Sequence, residues 1–287
     1  MFSRVQTHKT WRTKKNIKHK IHKISILSSS PTYTHNHYPS NTMVSVVVIQ
    51  ADNRPTEEIV YLTLTRRTTI QMCDYLIKSE HIQNHYRYEY MNIEERHTKD
   101  LFPATAKIRL MSEILRTVQD DFVVFLDSDA WIQNPDYLDE LIGHLAADPT
   151  KQGAFSRDPF LSRNTYINSG SFVLKVNDYN RELYAKIEHW MDEEPAYHHK
   201  WPYDQYYISE MVYQNRADLF VFHPDVLNTP NGSILRHNWW KNQKMYADLY
   251  YLLDIHTVYT RPPPFSLEAA IDDREYPNPN LYDYEWR

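Results

Sequence analysis

Phe122-Val123-Val124-Phe125-Leu126-Asp127-Ser128-Asp129 is the stretch on which the reading of this 287-residue chain turns. Five consecutive apolar residues without alternation suit a strand buried on both faces, as in the middle of an α/β sheet. The run is far shorter than the roughly 20 residues needed to span a bilayer. Carboxylates follow where such a strand would end. Under period-2 alternation Asp127 and Asp129 leave the strand in the same direction, so both can reach one cation. The bland alternative is a solvated turn, since an aspartate-rich chain contains such a triplet by chance. The apolar run before it and the helix signal after it weigh against that.

Outward from the triplet, Asn134-Pro135-Asp136 opens a helix expected to reach Ala147 and to end before Pro149. Upstream, Ile108, Met111, Leu115 and Val118 share one face of a helix over residues 104–118. A β-branched run at 44–50 is the first strand, with Ala51, Asp52 and Asn53 in the turn after it. A helix over 66–78 and a strand over 86–93 follow. Downstream, strands are expected at 154–157 and 166–175, the second bent at Asn168-Ser169-Gly170, then helices at 179–190 and 202–212 and a strand at 218–222. Such alternation argues for one α/β domain rather than a bundle or sandwich. From Pro262 the chain is rich in Pro, Tyr and acids, and reads as an extended arm over the surface.

Glycine is scarce: Gly143, Gly153, Gly170 and Gly232 are the only ones. A glycine-rich phosphate loop needs several close together so that backbone N–H groups can approach the oxygens. None exists here, so a diphosphate ligand would have to be neutralised otherwise, and a divalent metal is the economical means. Cys73 is the single cysteine, which excludes an intrachain disulfide and any thiolate-built zinc site. Residues 1–42 hold eight Lys and Arg and no acid, leaving 24 basic against 37 acidic residues in the remainder. A body that acidic is a poor nucleic-acid binder. The basic segment, interrupted by Ser28-Ser29-Ser30-Pro31, cannot build a packed core and is expected to be a disordered leader without a signal-peptide apolar region.

A cation held by two carboxylates keeps open positions, which a histidine from another segment often fills. Among 15 histidines, His237 stands out beside Trp239, Trp240 and Lys241, while His223, after the last expected strand, competes with it. Of the tryptophans, Trp239 and Trp240 divide evenly between core packing and sugar stacking, and core is expected for Trp201.

Four blocks in order carry a family resemblance: Ala106-Lys107-Ile108, Phe125 to Ala130, Asn168 to Lys175, and Tyr203-Asp204-Gln205-Tyr206, with His237 and Lys241 after them. They resemble the GT-A-fold glycosyltransferase family of plant xyloglucan xylosyltransferases, galactomannan galactosyltransferases and yeast α-mannosyltransferases, over about residues 44–245. The late block departs from the family pattern, with Trp239-Trp240 where a glycine is usual. The resemblance implies a single GT-A-type α/β domain over 43–260, a Rossmann-like mixed sheet flanked by helices, with the leader at 1–42 and the arm at 261–287.

The resemblance also implies roles. Asp127, Asp129 and His237 would hold Mn²⁺ or Mg²⁺. Ala51, Asp52, Asn53, Lys107, Ser128 and Lys241 would contact the nucleotide-sugar donor. Asn168, Ser169, Gly170, Trp239 and Trp240 would line the sugar or acceptor side, and Asp204 and Gln205 would sit under the anomeric carbon. Transfer would proceed with retention, by double displacement through Asp204 or by a front-face route. Partners would be a nucleotide sugar and a glycan acceptor. No anchor is visible, and soluble relatives occur in large DNA viruses, so a soluble, cytoplasmic, virus-encoded enzyme is the expectation.

Two other classes compete. A haloacid-dehalogenase-type phosphotransferase also uses Asp-X-Asp after an apolar strand, but Trp131 stands where Thr or Val is usual, and no later strand ends in an acidic pair. A non-catalytic carbohydrate-binding protein on a transferase fold is the third reading, and the intact Asp127, Asp129, Asp204 and Gln205 argue against it.

Overall fold

A computed structural model describes residues 44–53, 86–127, 130–159, 165–229, 231–237 and 265–274, with the Trp131 side chain outside the description. All of them fall in the unit Ser40–Arg287. The leader at 1–42 and the helix expected at 66–78 lie outside the described residues.

Six strands form one sheet: β1 (Val46–Asp52), β2 (Tyr86–Asn92), β3 (Phe122–Asp127), β5 (Gly153–Arg157), β6 (Ile167–Lys175) and β7 (Phe220–Phe222). Their order is β2-β1-β3-β6-β5-β7. The pairs β2/β1, β1/β3 and β5/β7 are parallel, whereas β3/β6 and β6/β5 are antiparallel. The sheet is therefore mixed, with β3 inside it. Alternate residues of each strand feed opposite faces. Ile49, Phe125, Phe155 and Phe172 pack on one face with Ile108, Met111 and Leu115 of helix α2 (Pro103–Thr117), with α4 (Asp178–Glu193) and with α5 (Asp204–Gln214). Val48, Val124, Leu126 and Val173 pack on the other with Leu138, Leu141 and Leu145 of α3 (Pro135–Ala147). Helix α1 (Glu95–Thr98) is a single turn before α2. Each buried side chain of this size contributes about 1.5–3 kcal/mol.

Local chemistry sets the helix starts. Asn134 accepts the Tyr137 N–H at 3.3 Å and is followed by Pro135, while Asn177 accepts the Asn180 N–H at 3.0 Å. Side-chain caps of this type satisfy N–H groups that have no partner within the helix.

A second, two-stranded sheet joins β4 (Ala130–Ile132), just after the acidic triplet, to β8 (Leu235–His237), which follows the short helix α6 (Pro224–Leu227). The pairing is antiparallel, with Ala130 opposite His237. Gly232 permits the turn into β8, because a Cβ there would lie 1.8 Å from the Leu235 carbonyl oxygen.

Three expectations are corrected. Asn168-Ser169-Gly170 is not a bend but part of continuous β6, and the irregularity falls in its partnership with β5, between Ala154 and Ser156. Strand β1 runs through Asp52 instead of turning at Ala51. The described piece of the C-terminal segment is mostly exposed, as an arm over the surface would be, but it is not extended throughout. Residues 265–274 form helix α7 (Leu267–Ala270), Ile271 bridges to Phe222, and Ala270 and Asp272 are buried. Asp272 meets Arg157 at 3.7 Å and receives the Arg274 Nε–H at 2.7 Å.

Candidate active site

Parallel β1 and β3 end at the same edge of the sheet, and the site lies there. Ala51 is opposite Asp127 in the register. Gln50, buried in β1, donates from Nε2 to the Asp127 and Ala130 carbonyl oxygens at 3.1 and 3.2 Å, and its Oε1 receives the Tyr88 hydroxyl at 2.8 Å. One side chain thus ties together the residues on either side of Ser128 and Asp129, which themselves lie outside the described residues. Asp52 is buried with its carbonyl accepting the Ile93 N–H, and Asn53 is exposed beside it.

Lys107 projects from α2 to this edge and is almost wholly buried. Its Nζ donates to both Asp127 carboxylate oxygens, at 2.9 and 3.1 Å, and lies 3.2 Å from Asp204 Oδ2. Asp204 begins α5, is 3% exposed, and also receives a hydrogen bond from Ser169 of β6. Burial works against the Lys107 ammonium, but the two carboxylates outweigh it and raise its pKa. Burial raises the Asp204 pKa above the ordinary carboxylate range, and Lys107 opposes that shift.

From the opposite side β8 brings His237, whose Nε2 is 3.7 Å from Asp127 Oδ2. Its Nδ1 is 3.2 Å from Asn168 Oδ1, which also accepts the Gly170 N–H at 3.0 Å. A backbone N–H can only donate, so this atom is the amide oxygen, and Nδ1 of a neutral His237 must carry the proton. The lone pair of Nε2 then faces the Asp127 carboxylate. Gly170 makes the approach possible, since a Cβ there would fall 1.9 Å from the imidazole Cε1. His223 is elsewhere, 3.4 Å from Asp272.

The structure thus gathers Asp127, Lys107, Asp204, Gln205, Asn168, Ser169, Gly170 and His237, with Ala51, Asp52 and Asn53 at the neighbouring strand end. Trp239, Trp240 and Lys241 lie outside the described residues. Trp201, expected in the core, is 49% exposed. Tyr203, which precedes Asp204, has a left-handed φ of 57° and stacks on Phe102 at 4.5 Å.

Three contributors were not foreseen. Gln50 is one. Asp158, just beyond β5, accepts from Gln205 Nε2 at 2.7 Å and from Asn168 Nδ2 at 3.4 Å. Asn228 donates to the Asn168 and Ser171 carbonyl oxygens at 3.1 and 2.6 Å, and so fixes the start of β6. Gln50 and Asp158 act through partners far away in the chain, so the sequence around them carries no local signal. For Asn228 the sequence offers none either.

No protein-family model matches the sequence, and no curated protein matches it. Among solved structures, the fold is similar to the crystal structure of a glycosyltransferase involved in glycosylation of the major capsid of PBCV-1. That likeness has a TM-score of 0.50 at 15% identity and covers 72% of this chain and 99% of that one. The galactosyltransferase LgtC, in complex with donor and acceptor sugar analogues, aligns with a TM-score of 0.44 at 12% identity over 76% of this chain and 98% of that one. Mouse xyloside xylosyltransferase 1 aligns with a TM-score of 0.39 at 12% identity over 72% of this chain and 92% of that one. The mixed six-stranded sheet flanked by helices is a GT-A-type fold. Among the described residues, no helix is long and apolar enough to cross a membrane.

Proposed function

We propose that the protein is a metal-dependent glycosyltransferase that moves a sugar from a UDP- or GDP-sugar to a glycan or glycoconjugate acceptor. The observation that carries this reading is the convergence of Asp127, Lys107, Asp204 and His237, from four separate elements, at the ends of β1 and β3. Open α/β sheets bind ligands at such strand ends, and no glycine-rich loop is present to bind a diphosphate instead.

The donor set suits a divalent cation. Among the described residues no group of three or more His, Cys, Asp and Glu side chains is placed for a metal. The pair Asp127 and His237 is nevertheless poised for one: a carboxylate and an imidazole lone pair face each other across 3.7 Å, with the other ring nitrogen anchored. Asp129 would join them. Imidazole favours Mn²⁺ over Mg²⁺, which prefers oxygen ligands alone. The cation, when bound, supplies charge to a diphosphate leaving group.

This chain's own residues would do the rest. Lys107, shared by two carboxylates, sets the geometry of both. Ser128 and Lys241 would complete the diphosphate contacts, Ala51, Asp52 and Asn53 the nucleoside contacts, and Trp239 and Trp240 the acceptor side. Asp204 is buried and committed to Lys107, which supports a role in stabilising developing positive charge rather than in direct attack on the sugar. Transfer would then follow the front-face route with retention.

A panel of UDP- and GDP-sugars, with Mn²⁺ or Mg²⁺, tests the reading by nucleotide release and by the rise in unfolding temperature. One donor class should respond, more strongly with Mn²⁺, and Asp127→Ala should abolish the response while leaving circular dichroism unchanged. Silence across the panel would sink the proposal. Inversion of the product anomer, read by NMR, would remove the retaining route alone.

A further inference from the structure

A single carboxylate oxygen, Oδ2 of Asp158, receives amide nitrogens from both arms of the site, Gln205 Nε2 at 2.7 Å and Asn168 Nδ2 at 3.4 Å. All three side chains are buried. An ionised carboxylate only accepts hydrogen bonds, so it selects which end of each amide faces it. Nitrogen turns toward Asp158 and carbonyl oxygen turns away.

The two amides differ in what else holds them. Asn168 has a second anchor, because its Oδ1 accepts the Gly170 N–H at 3.0 Å. Losing Asp158 would not reverse it. Gln205 has no equivalent: among the described residues its side chain makes one hydrogen bond, to Asp158. Gln205 directly follows Asp204 in the first turn of α5.

We propose that Asp158 is a positioning residue for sugar transfer, locking the Gln205 amide so that its carbonyl oxygen, and not its NH₂ group, is presented beside Asp204. The proposal rests on the glycosyl-transfer reading. Glycosyl transfer develops positive charge at the anomeric carbon, and a carbonyl dipole directed there has the favourable sign. A reversed amide would direct two N–H groups at the same place. The energetic role of Asp158 is thus to hold one of two amide orientations that are otherwise equal in shape.

Two substitutions separate orientation from charge. Asp158→Ala removes the acceptor, whereas Asp158→Asn keeps an oxygen able to face Gln205 and Asn168. With the donor identified by the panel, the Ala variant should lose on the order of 10- to 100-fold in kcat, with donor KM and the Mn²⁺ dissociation constant changed by less than about 2-fold. The Asn variant should stay within about 5-fold of the parent by the same reasoning. Equal losses in both variants would overturn the proposal, because the charge of Asp158 itself would then be required. Parent-like turnover in the Ala variant would overturn it as well.

A readout independent of turnover is the ¹⁵N–¹H signal of the Gln205 side-chain amide. It should exchange slowly in the parent and the Asn variant, and fast exchange in the parent would overturn the proposal. Should the Ala variant fail to fold, Gln205→Glu takes its place. It sets two carboxylates against each other, and adding Asp158→Asn should recover at least about 10-fold of the lost kcat. No recovery would count against the proposal. A parent that transfers no sugar refutes the glycosyl-transfer reading itself, an outcome distinct from an active parent whose variants show the wrong pattern.

Discussion

At the residue scale, the site depends on two close approaches. Lys107 is the cation between Asp127 and Asp204, and removing it leaves a buried carboxylate without its charge partner. Breaking such a pair from one side costs about 3–5 kcal/mol. Lys107→Met should therefore lower unfolding free energy in urea by about 3 kcal/mol, the low end of that range because Asp127 is partly exposed; a loss under about 1 kcal/mol would show that the pair is solvated. Gly170 governs the other approach, since any Cβ there collides with the His237 ring. Gly170→Ala should weaken Mn²⁺ binding by at least about 10-fold, as displaced ligand positions do, measured by the EPR signal of free Mn²⁺. Unchanged affinity would mean that His237 is no ligand.

The same residues show what could be read in advance. Asp127, Asp204 and His237 were legible because each stands in or beside a distinctive string. Gln50 and Asp158 were not, because their roles are hydrogen bonds across 80 and 47 residues, to Ala130 and Gln205 respectively. Such partnerships leave no periodicity in the sequence.

At the scale of elements, β3 was the most legible because an unbroken apolar run has few alternatives to an interior strand. Helix α2 followed from apolar spacing, and helix α3 from its Asn-Pro start signal and the proline beyond its end. Strand β6 was misread at its start, where Asn, Ser and Gly have turn chemistry. Tertiary context decided otherwise, as Gly170 serves the close approach of an imidazole and Asn168 the hydrogen bonds around it. Strand β8 is three residues long and too short for any pattern.

Helix α4 carries a further consequence. Among the described residues the fully buried Tyr184 hydroxyl has no hydrogen-bond partner, and burial raises its pKa strongly, with Asp204 adding to the shift. An unpaired buried hydroxyl costs about 1–3 kcal/mol. Tyr184→Phe should accordingly leave stability unchanged or raise it by about 1 kcal/mol, seen as an equal or higher thermal midpoint. A drop of similar size would reveal a bound partner, such as a buried water.

At the scale of the whole molecule, Asp272 ties the end of the described chain to the sheet. Burial alone would raise its pKa, but hydrogen bonds from Arg274 and the charge of Arg157 outweigh that and hold it below the ordinary carboxylate range. A depressed folded-state pKa means stability that is present above the unfolded pKa of about 3.9 and lost as pH falls through the folded value. Acid titration of the parent should therefore show a stabilising contribution fading below about pH 4, and Asp272→Asn should flatten that limb. An unaltered limb would place the acid sensitivity elsewhere.

The pairing of β4 with β8 has a consequence for how the chain is made. Asp127 emerges from the ribosome 110 residues before His237, and β4 finds its described strand partner only in β8. At about 5–20 residues per second, some 5–20 seconds separate the two during synthesis. Through that interval the nascent chain holds an acidic, lysine-capped half without its imidazole. Any binding that needs His237 thus has to wait until β8 is made, and a polypeptide released before Leu235 would lack the strand that pairs with β4.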